Sequence, residues 1–218
     1  MGVEVSLEKI LTPAVATRSW IRANQCEPTA LFIPNDTLSD FSDVNILAPQ
    51  LEDGAESVVI GDLGERWDYH VLNRAFRLLI SNEKKRPTLI ALGMTKYFKD
   101  VGGLRLDVAP FVKALEFSAS CDAIVMGKPA RRFFQAAANK LEMPFNDLVM
   151  IGDDIVSDIQ GAQRCGMSTL LVKTGKFRGR DLQLDITPNA IFNSIAELPE
   201  WLVANSHSQL HQYQSTQH

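Results

Sequence analysis

From residue 120 onward the chain alternates short apolar runs with helix-forming stretches, and each of the first two runs ends in glycine and charge. Asp122-Ala-Ile-Val-Met126 reads as a strand, followed by Gly127-Lys128-Pro129 and a helix over Ala130–Leu141. Leu148-Val-Met-Ile151 reads as the next strand. It is followed by Gly152-Asp153-Asp154 and a helix over Asp158–Cys165, which Gly166 can close as a left-handed cap. Ser168-Thr-Leu-Leu-Val172 is a further strand. Strands alternating with helices imply parallel βαβ units and an α/β fold.

The first 120 residues carry the same signals less regularly. Ser6 can cap an opening helix that holds Ile10, Val15 and Trp20 and is interrupted by Pro13. Thr29-Ala-Leu-Phe-Ile33, Ser57-Val-Val-Ile-Gly61 and Thr88-Leu-Ile-Ala-Leu92 read as strands. Tyr69–Leu79 reads as a helix with Leu72, Phe76 and Leu79 on one face, and Gly102-Gly103 marks a turn. A helix over Pro110–Phe117 is expected to face Phe111, Ala114 and Leu115 inward. The tail from Asn205 to His218, rich in Ser, Gln and His, is expected to be disordered, with His207, His211 and His218 solvated.

Composition narrows the function classes. A chain of 218 residues, 45% of them hydrophobic, holds one large domain or two small ones. A net charge of −4, with Lys and Arg scattered, argues against a nucleic-acid partner. The one basic cluster, Lys84-Lys85-Arg86, reads as a solvated loop between a helix and a strand. Cys26, Cys121 and Cys165 stand far apart and form no metal-binding spacing, which suits a reducing cytoplasm. No signal peptide is visible at the start, and no apolar run approaches the roughly 20 residues that span a bilayer. Gly2 and Ser6 match a myristoylation pattern short enough to arise by chance.

The chemistry-bearing residues lie at the two glycine-containing strand exits. In an open parallel sheet, ligands bind beyond the carboxyl ends of the strands. Gly127 permits close backbone approach, and Lys128 is a compact cation suited to a phosphate oxygen. Asp153, with Asp154 beside it, offers hard oxygen ligands for magnesium. Asp158, in the first turn of the next helix, would favour the helix dipole or orient Lys128. Taken singly, a Gly-Lys-Pro is as often a plain turn, and a Gly-Asp-Asp is often a turn with a helix cap. Their order, about 25 residues apart in a βαβ pattern, favours a phosphate and metal site.

In this arrangement the chain resembles the haloacid-dehalogenase superfamily, in the branch with a large inserted cap. Gly127-Lys128-Pro129 resembles that branch's third motif, and Gly152-Asp153 through Asp158 its fourth. Gly161-Ala162-Gln163, Gly166-Met167 and Val172-Lys173-Thr174-Gly175-Lys176-Phe177 fit as well, as do Leu72–Leu79 and Lys96-Tyr97-Phe98 upstream. The resemblance implies a partial Rossmann-like core with an α/β cap. Residues 1–26 would be a remnant of the core's first half, 27–108 the cap, and 109–204 the core's second half. It implies magnesium-dependent phosphoryl hydrolysis through an aspartyl-phosphate, acting on a small phosphorylated substrate or a phosphoprotein. Lys128 and Gly127 would meet the phosphate, Asp153 and Asp154 the magnesium, and Asp158 would support them. A homodimer formed through the cap is also in keeping with the family, and Lys96-Tyr97-Phe98 would either line the substrate entrance or pack in the cap.

The family's nucleophile motif, an aspartate followed two residues later by an acid or serine and then Gly-Thr, has no counterpart here. No two aspartates in the chain stand two positions apart. Asp36-Thr37-Leu38 and Asp40-Phe41-Ser42 are the best decoys and read as turn aspartates. The expectation is a shortened family member with little or no phosphatase activity of its own, its strand at Val149-Met150-Ile151 left with an open edge. The competing reading is a catalytically silent module that binds a phosphate or a partner. A receiver-like or nucleotide-binding protein is disfavoured, because no glycine-rich phosphate loop occurs.

Overall fold

The computed structural model describes residues 4–205. The chain divides into two compact units, Met1–Ala137 and Ala138–His218. The expected disorder of the tail concerns residues almost all outside those described; residues 198–205 are helical.

The first unit contains α1 (Pro13–Asn24), β1 (Thr29–Phe32), β2 (Ser57–Ile60), α2 (Tyr69–Ile80), β3 (Thr88–Ala91), β4 (Tyr97–Asp100), β5 (Gly103–Leu106), α3 (Val108–Ala119) and β6 (Ile124–Val125). β1, β2, β3 and β6 form one sheet in that order, and every pair is parallel. β4 and β5 form a separate antiparallel hairpin.

The register explains why the strand sequences are continuously apolar. Ala30, Val58 and Leu89 lie in one row, and Phe32, Ile60 and Ala91 in another. Both rows pack on α2 and α3 through Ala75, Leu78, Val112 and Leu115. The intervening row, Leu31, Val59 and Ile90, faces a second cluster with Ile21 of α1, Phe41 and Met126. A parallel sheet covered on both faces needs apolar side chains at every position, and alternation disappears.

The helices begin where a side-chain oxygen meets the first free N–H groups. Thr12 Oγ1 accepts from Val15 N–H at 3.1 Å, and an Asp68 carboxylate oxygen accepts from Val71 N–H at 2.8 Å. Pro13 therefore opens α1 rather than interrupting an earlier helix, since proline at the first helical position gives up no bond. Ser6 instead precedes a single 3-10 turn, Leu7–Lys9.

α4 (Arg131–Leu141) runs across the division between the units. In the second unit, β7 (Val149–Gly152), β8 (Ser168–Val172) and β9 (Ala190–Phe192) form a parallel sheet in chain order. The β7–β8 crossover holds a helical segment, π-helical over Ile155–Gln160 and α-helical over Gly161–Gln163. Among the described residues no strand pairs with the outer edge of β7. No helix among them is long and apolar enough to cross a membrane.

α3 packs on the first unit's sheet, and β6 hydrogen-bonds to β3. Two details differ from the sequence reading. Ala114 is exposed, and α3 buries Val112, Leu115 and Ala119 in its place. β4, β5 and β9 were not anticipated as strands; in the hairpin every apolar residue is at least partly exposed, so no burial pattern marked it.

The inward face of α3 can be tested directly. Leu115→Ala should lower unfolding free energy by about 2–5 kcal/mol, whereas Ala114→Ser should change it by less than about 0.5 kcal/mol. Urea denaturation of both variants measures the contrast.

Candidate active site

Lys128 belongs to the exit of β6 in the first unit. Met126 N–H donates to the Ala91 carbonyl at 2.8 Å, which draws the β6 exit against that of β3. A Cβ on Gly127 would stand 2.4 Å from the Leu92 carbonyl oxygen and 3.3 Å from Gly93 Cα. Glycine is thus needed here for packing, independently of any phosphate. Lys128 follows as an exposed residue, and Ala130 N–H donates to the Gly127 carbonyl at 3.0 Å as the chain turns into α4.

Asp153, Asp154 and Asp158 come together in the second unit, at the carboxyl end of β7. A Cβ on Gly152 would lie 2.4 Å from Asp158 Oδ2 and 2.5 Å from Asp158 Cβ. The Asp158 side chain fills the space that any other residue at 152 would claim. It is buried, and its Oδ2 accepts from Asp154 N–H at 3.3 Å.

Asp154 caps the helical segment: its Oδ1 accepts from Val156 N–H at 3.1 Å and Ser157 N–H at 2.9 Å. Lys176 Nζ lies 3.7 Å from its Oδ2. Partial burial works against the charged carboxylate. The hydrogen bonds from Ser157 and Val156 and the charge of Lys176 outweigh it, and hold the carboxyl below its usual range.

Asp153 is half-buried, and its Oδ2 accepts from the backbone N–H of Lys176 at 2.5 Å. The turn after β8 therefore closes on this carboxylate. From sequence, Val172–Phe177 counts among the segments that fit the family but has no part assigned in the site; its signal was a Lys-Thr-Gly-Lys run directly after a parallel strand.

The donor chemistry at the β7 exit fits magnesium in kind. All the donors are carboxylate oxygens, and Asp153 Oδ1 accepts no hydrogen bond among the described residues. In number the set is small: no cluster of three or more His, Cys, Asp or Glu able to hold a metal occurs among the described residues. Magnesium typically keeps several waters and takes one or two carboxylates plus phosphate oxygens, so a short protein set suits it better than calcium.

The decoy aspartates sit in a turn, and Asp40 is engaged there. Asp36 and Asp40 lie in a 3-10 segment, Asn35–Phe41. Asp40 Oδ2 accepts from Thr12 Oγ1 at 3.4 Å, and its carbonyl accepts from Arg18. Tyr97 and Phe98 sit exposed on the hairpin rather than in a core.

Two outcomes are expected from this geometry. Gly152→Ala should cost about 1–3 kcal/mol by overpacking against Asp158, read as a lower urea midpoint. Asp154→Ala should cost about 1 kcal/mol at pH 7 through the lost cap. The folded-state carboxyl titrates below the unfolded value of about 3.9, so its contribution is complete above that pH. It is lost as pH falls through the folded value, and the gap between variant and parent should close in unfolding curves taken near pH 2.

Comparison with known proteins agrees with the arrangement. The HAD-hydrolase-like family model matches residues 125–198. Phospholysine phosphohistidine inorganic pyrophosphate phosphatase from Danio rerio is 39% identical over 181 residues, 83% of this chain and 64% of that protein. The Mus musculus protein of the same name is 37% identical over 204 residues, 93% of this chain and 72% of that protein. The chain thus spans about two thirds of the length of the relatives it matches. In structure it resembles p-nitrophenyl phosphatase from Archaeoglobus fulgidus, with a TM-score of 0.79 and 22% identity, covering 92% of this chain and 77% of that one. That likeness is one of fold. The matched length and identity to the phosphatase relatives show that the chain belongs to the haloacid-dehalogenase-like hydrolase family.

Proposed function

We propose that this chain carries the lysine and metal-binding portion of a magnesium-dependent phosphatase acting on a small phosphorylated substrate or a phosphoprotein. The observation that carries the reading is the β7 exit, where a strand-end carboxylate, Asp153, stands beside a glycine whose missing side chain admits Asp158. Asp153 would hold magnesium, with Asp154 beside it and Asp158 supporting the turn. Lys128 would meet a phosphate oxygen, with Gly127 setting its backbone. Bound magnesium supplies positive charge toward phosphoryl oxygens. Lys128 would supply positive charge to a phosphate, and phosphoryl transfer depends mainly on positioning and charge neutralisation.

The names of the relatives point to phosphoamides and pyrophosphate as the substrate class. In such substrates a P–N or P–O–P bond is cleaved, and Asp153-held magnesium and Lys128 would supply positive charge toward the phosphoryl oxygens. The cap, expected over residues 27–108, extends in this reading to α3 and β6. A homodimer through the cap and a cytoplasmic setting go with it, and the exposed Tyr97, Val101, Leu104 and Leu106 of the hairpin support an apolar contact surface.

Hydrolysis through an aspartyl-phosphate requires a nucleophile, and the 218 residues hold no Asp-x-Asp/Ser-Gly-Thr segment. The chain assayed by itself should therefore give turnover of an aryl phosphate at background level, with or without magnesium. It should still bind inorganic phosphate, and Lys128→Ala should weaken that binding about tenfold, a loss of roughly 1.4 kcal/mol. Isothermal titration and a p-nitrophenyl phosphate assay measure the two. Magnesium-dependent turnover that disappears in Lys128→Ala would instead place a nucleophile among this chain's own aspartates, Asp36 and Asp40 first. Phosphate binding unchanged in Lys128→Ala would remove Lys128 from the site.

A further inference from the structure

We infer that the turn over residues 174–177 positions the Asp153 carboxylate, with Gly175 and the Lys176 backbone N–H as its working parts. This rests on the reading of Asp153 as a metal ligand.

The turn is fastened from several sides. Thr174 N–H donates to the Val172 carbonyl at 2.8 Å, and Phe177 N–H to the Thr174 carbonyl at 2.9 Å. Phe177 packs against Ile155, Ile159 and Leu171, which anchors the far end of the turn in the core. The Arg178 guanidinium donates to the carbonyls of Gly175 at 3.0 Å and Phe177 at 2.7 Å.

Against this fixed turn lies Asp153. Gly175 has φ +47°, and a Cβ there would stand 2.1 Å from Asp153 Oδ2. Any side chain at 175 would have to displace the carboxylate, and the backbone conformation itself favours glycine. The next N–H, that of Lys176, donates to the same oxygen. One carboxylate oxygen is thereby held and the other, Oδ1, is left for a cation. This is monodentate presentation, which the tight octahedral demands of magnesium favour. Outer hydrogen bonds that orient a ligating carboxylate are worth about ten- to a hundredfold in metal affinity.

The test is a titration of Mn2+ into the whole 15N-labelled 218-residue chain, followed by paramagnetic broadening of the residue 152–154 amides. Broadening is expected in the parent and lost in Asp153→Asn. Gly175→Ala should need at least ten times more Mn2+ for the same broadening. Gly179→Ala should titrate like the parent, because a Cβ there meets nothing within 4 Å. Since Gly175→Ala also strains the backbone, amide exchange gives a second reading on folded protein: the Lys176 N–H should exchange at least tenfold faster in Asp153→Ala. Gly175→Ala titrating like the parent while Asp153→Asn has lost the site overturns this inference alone. So does Lys176 exchange unchanged by Asp153→Ala. Broadening absent in the parent, or unchanged in Asp153→Asn, overturns the metal reading beneath it.

Discussion

Parallel pairing governs this molecule. Two parallel strands cannot be joined by a tight turn, so the chain must cross over between them, and the crossovers cover the sheet. In the first unit the β2–β3 crossover supplies α2 and the β3–β6 crossover supplies the hairpin and α3. In the second, the β7–β8 crossover supplies the helical segment over residues 155–163. The same constraint aligns the strands within each sheet, so that their carboxyl ends share one edge. Gly127-Lys128 stands on that edge of the first sheet, and Gly152-Asp153 with Lys173–Phe177 on that edge of the second. The adjacency of β7 and β8 is what allows the turn after one strand to hold the carboxylate after the other.

Steric exclusion, more than attraction, shapes these exits. Gly127, Gly152 and Gly175 are each needed because a backbone carbonyl or a carboxylate occupies the volume of a Cβ. Two of the three make room for aspartates. A carboxylate wedged against backbone loses rotamer freedom before any ligand arrives, and such preorganisation lowers the ordering cost of binding. Asp154 shows the division of labour: its oxygens are engaged by a helix end and by Lys176, while Asp153 keeps one oxygen unengaged among the described residues.

Among the described residues no strand pairs with the outer edge of β7, and the hairpin exposes apolar surface. A bare strand edge is a template for pairing, and apolar side chains such as Val101 and Leu104 favour burial. Family membership gives the first feature a context, since the relatives are longer than this chain and have residues that it does not match.

The sequence by itself determined the α/β class and five of the six strands over residues 29–172 outside the hairpin to within about a residue, and it singled out Lys128, Asp153, Asp154 and Asp158 as candidate site residues. It could do so because a strand buried on both faces must be apolar throughout, and because glycine beside charge at a strand exit is a local pattern. β6 was legible too, though shorter than expected. What only the tertiary structure decided was contact at a distance in sequence. That Pro13 opens a helix rests on Thr12, whose hydroxyl also reaches Asp40. That Ala114 faces outward and Ala119 inward depends on where α2 lies. That Gly175 closes on Asp153 depends on β8 pairing beside β7, and nothing in a run of Lys-Thr-Gly-Lys states which carboxylate its N–H groups will meet. Local pattern reports how a segment's own atoms are buried, whereas a site is made where segments from different crossovers share one edge.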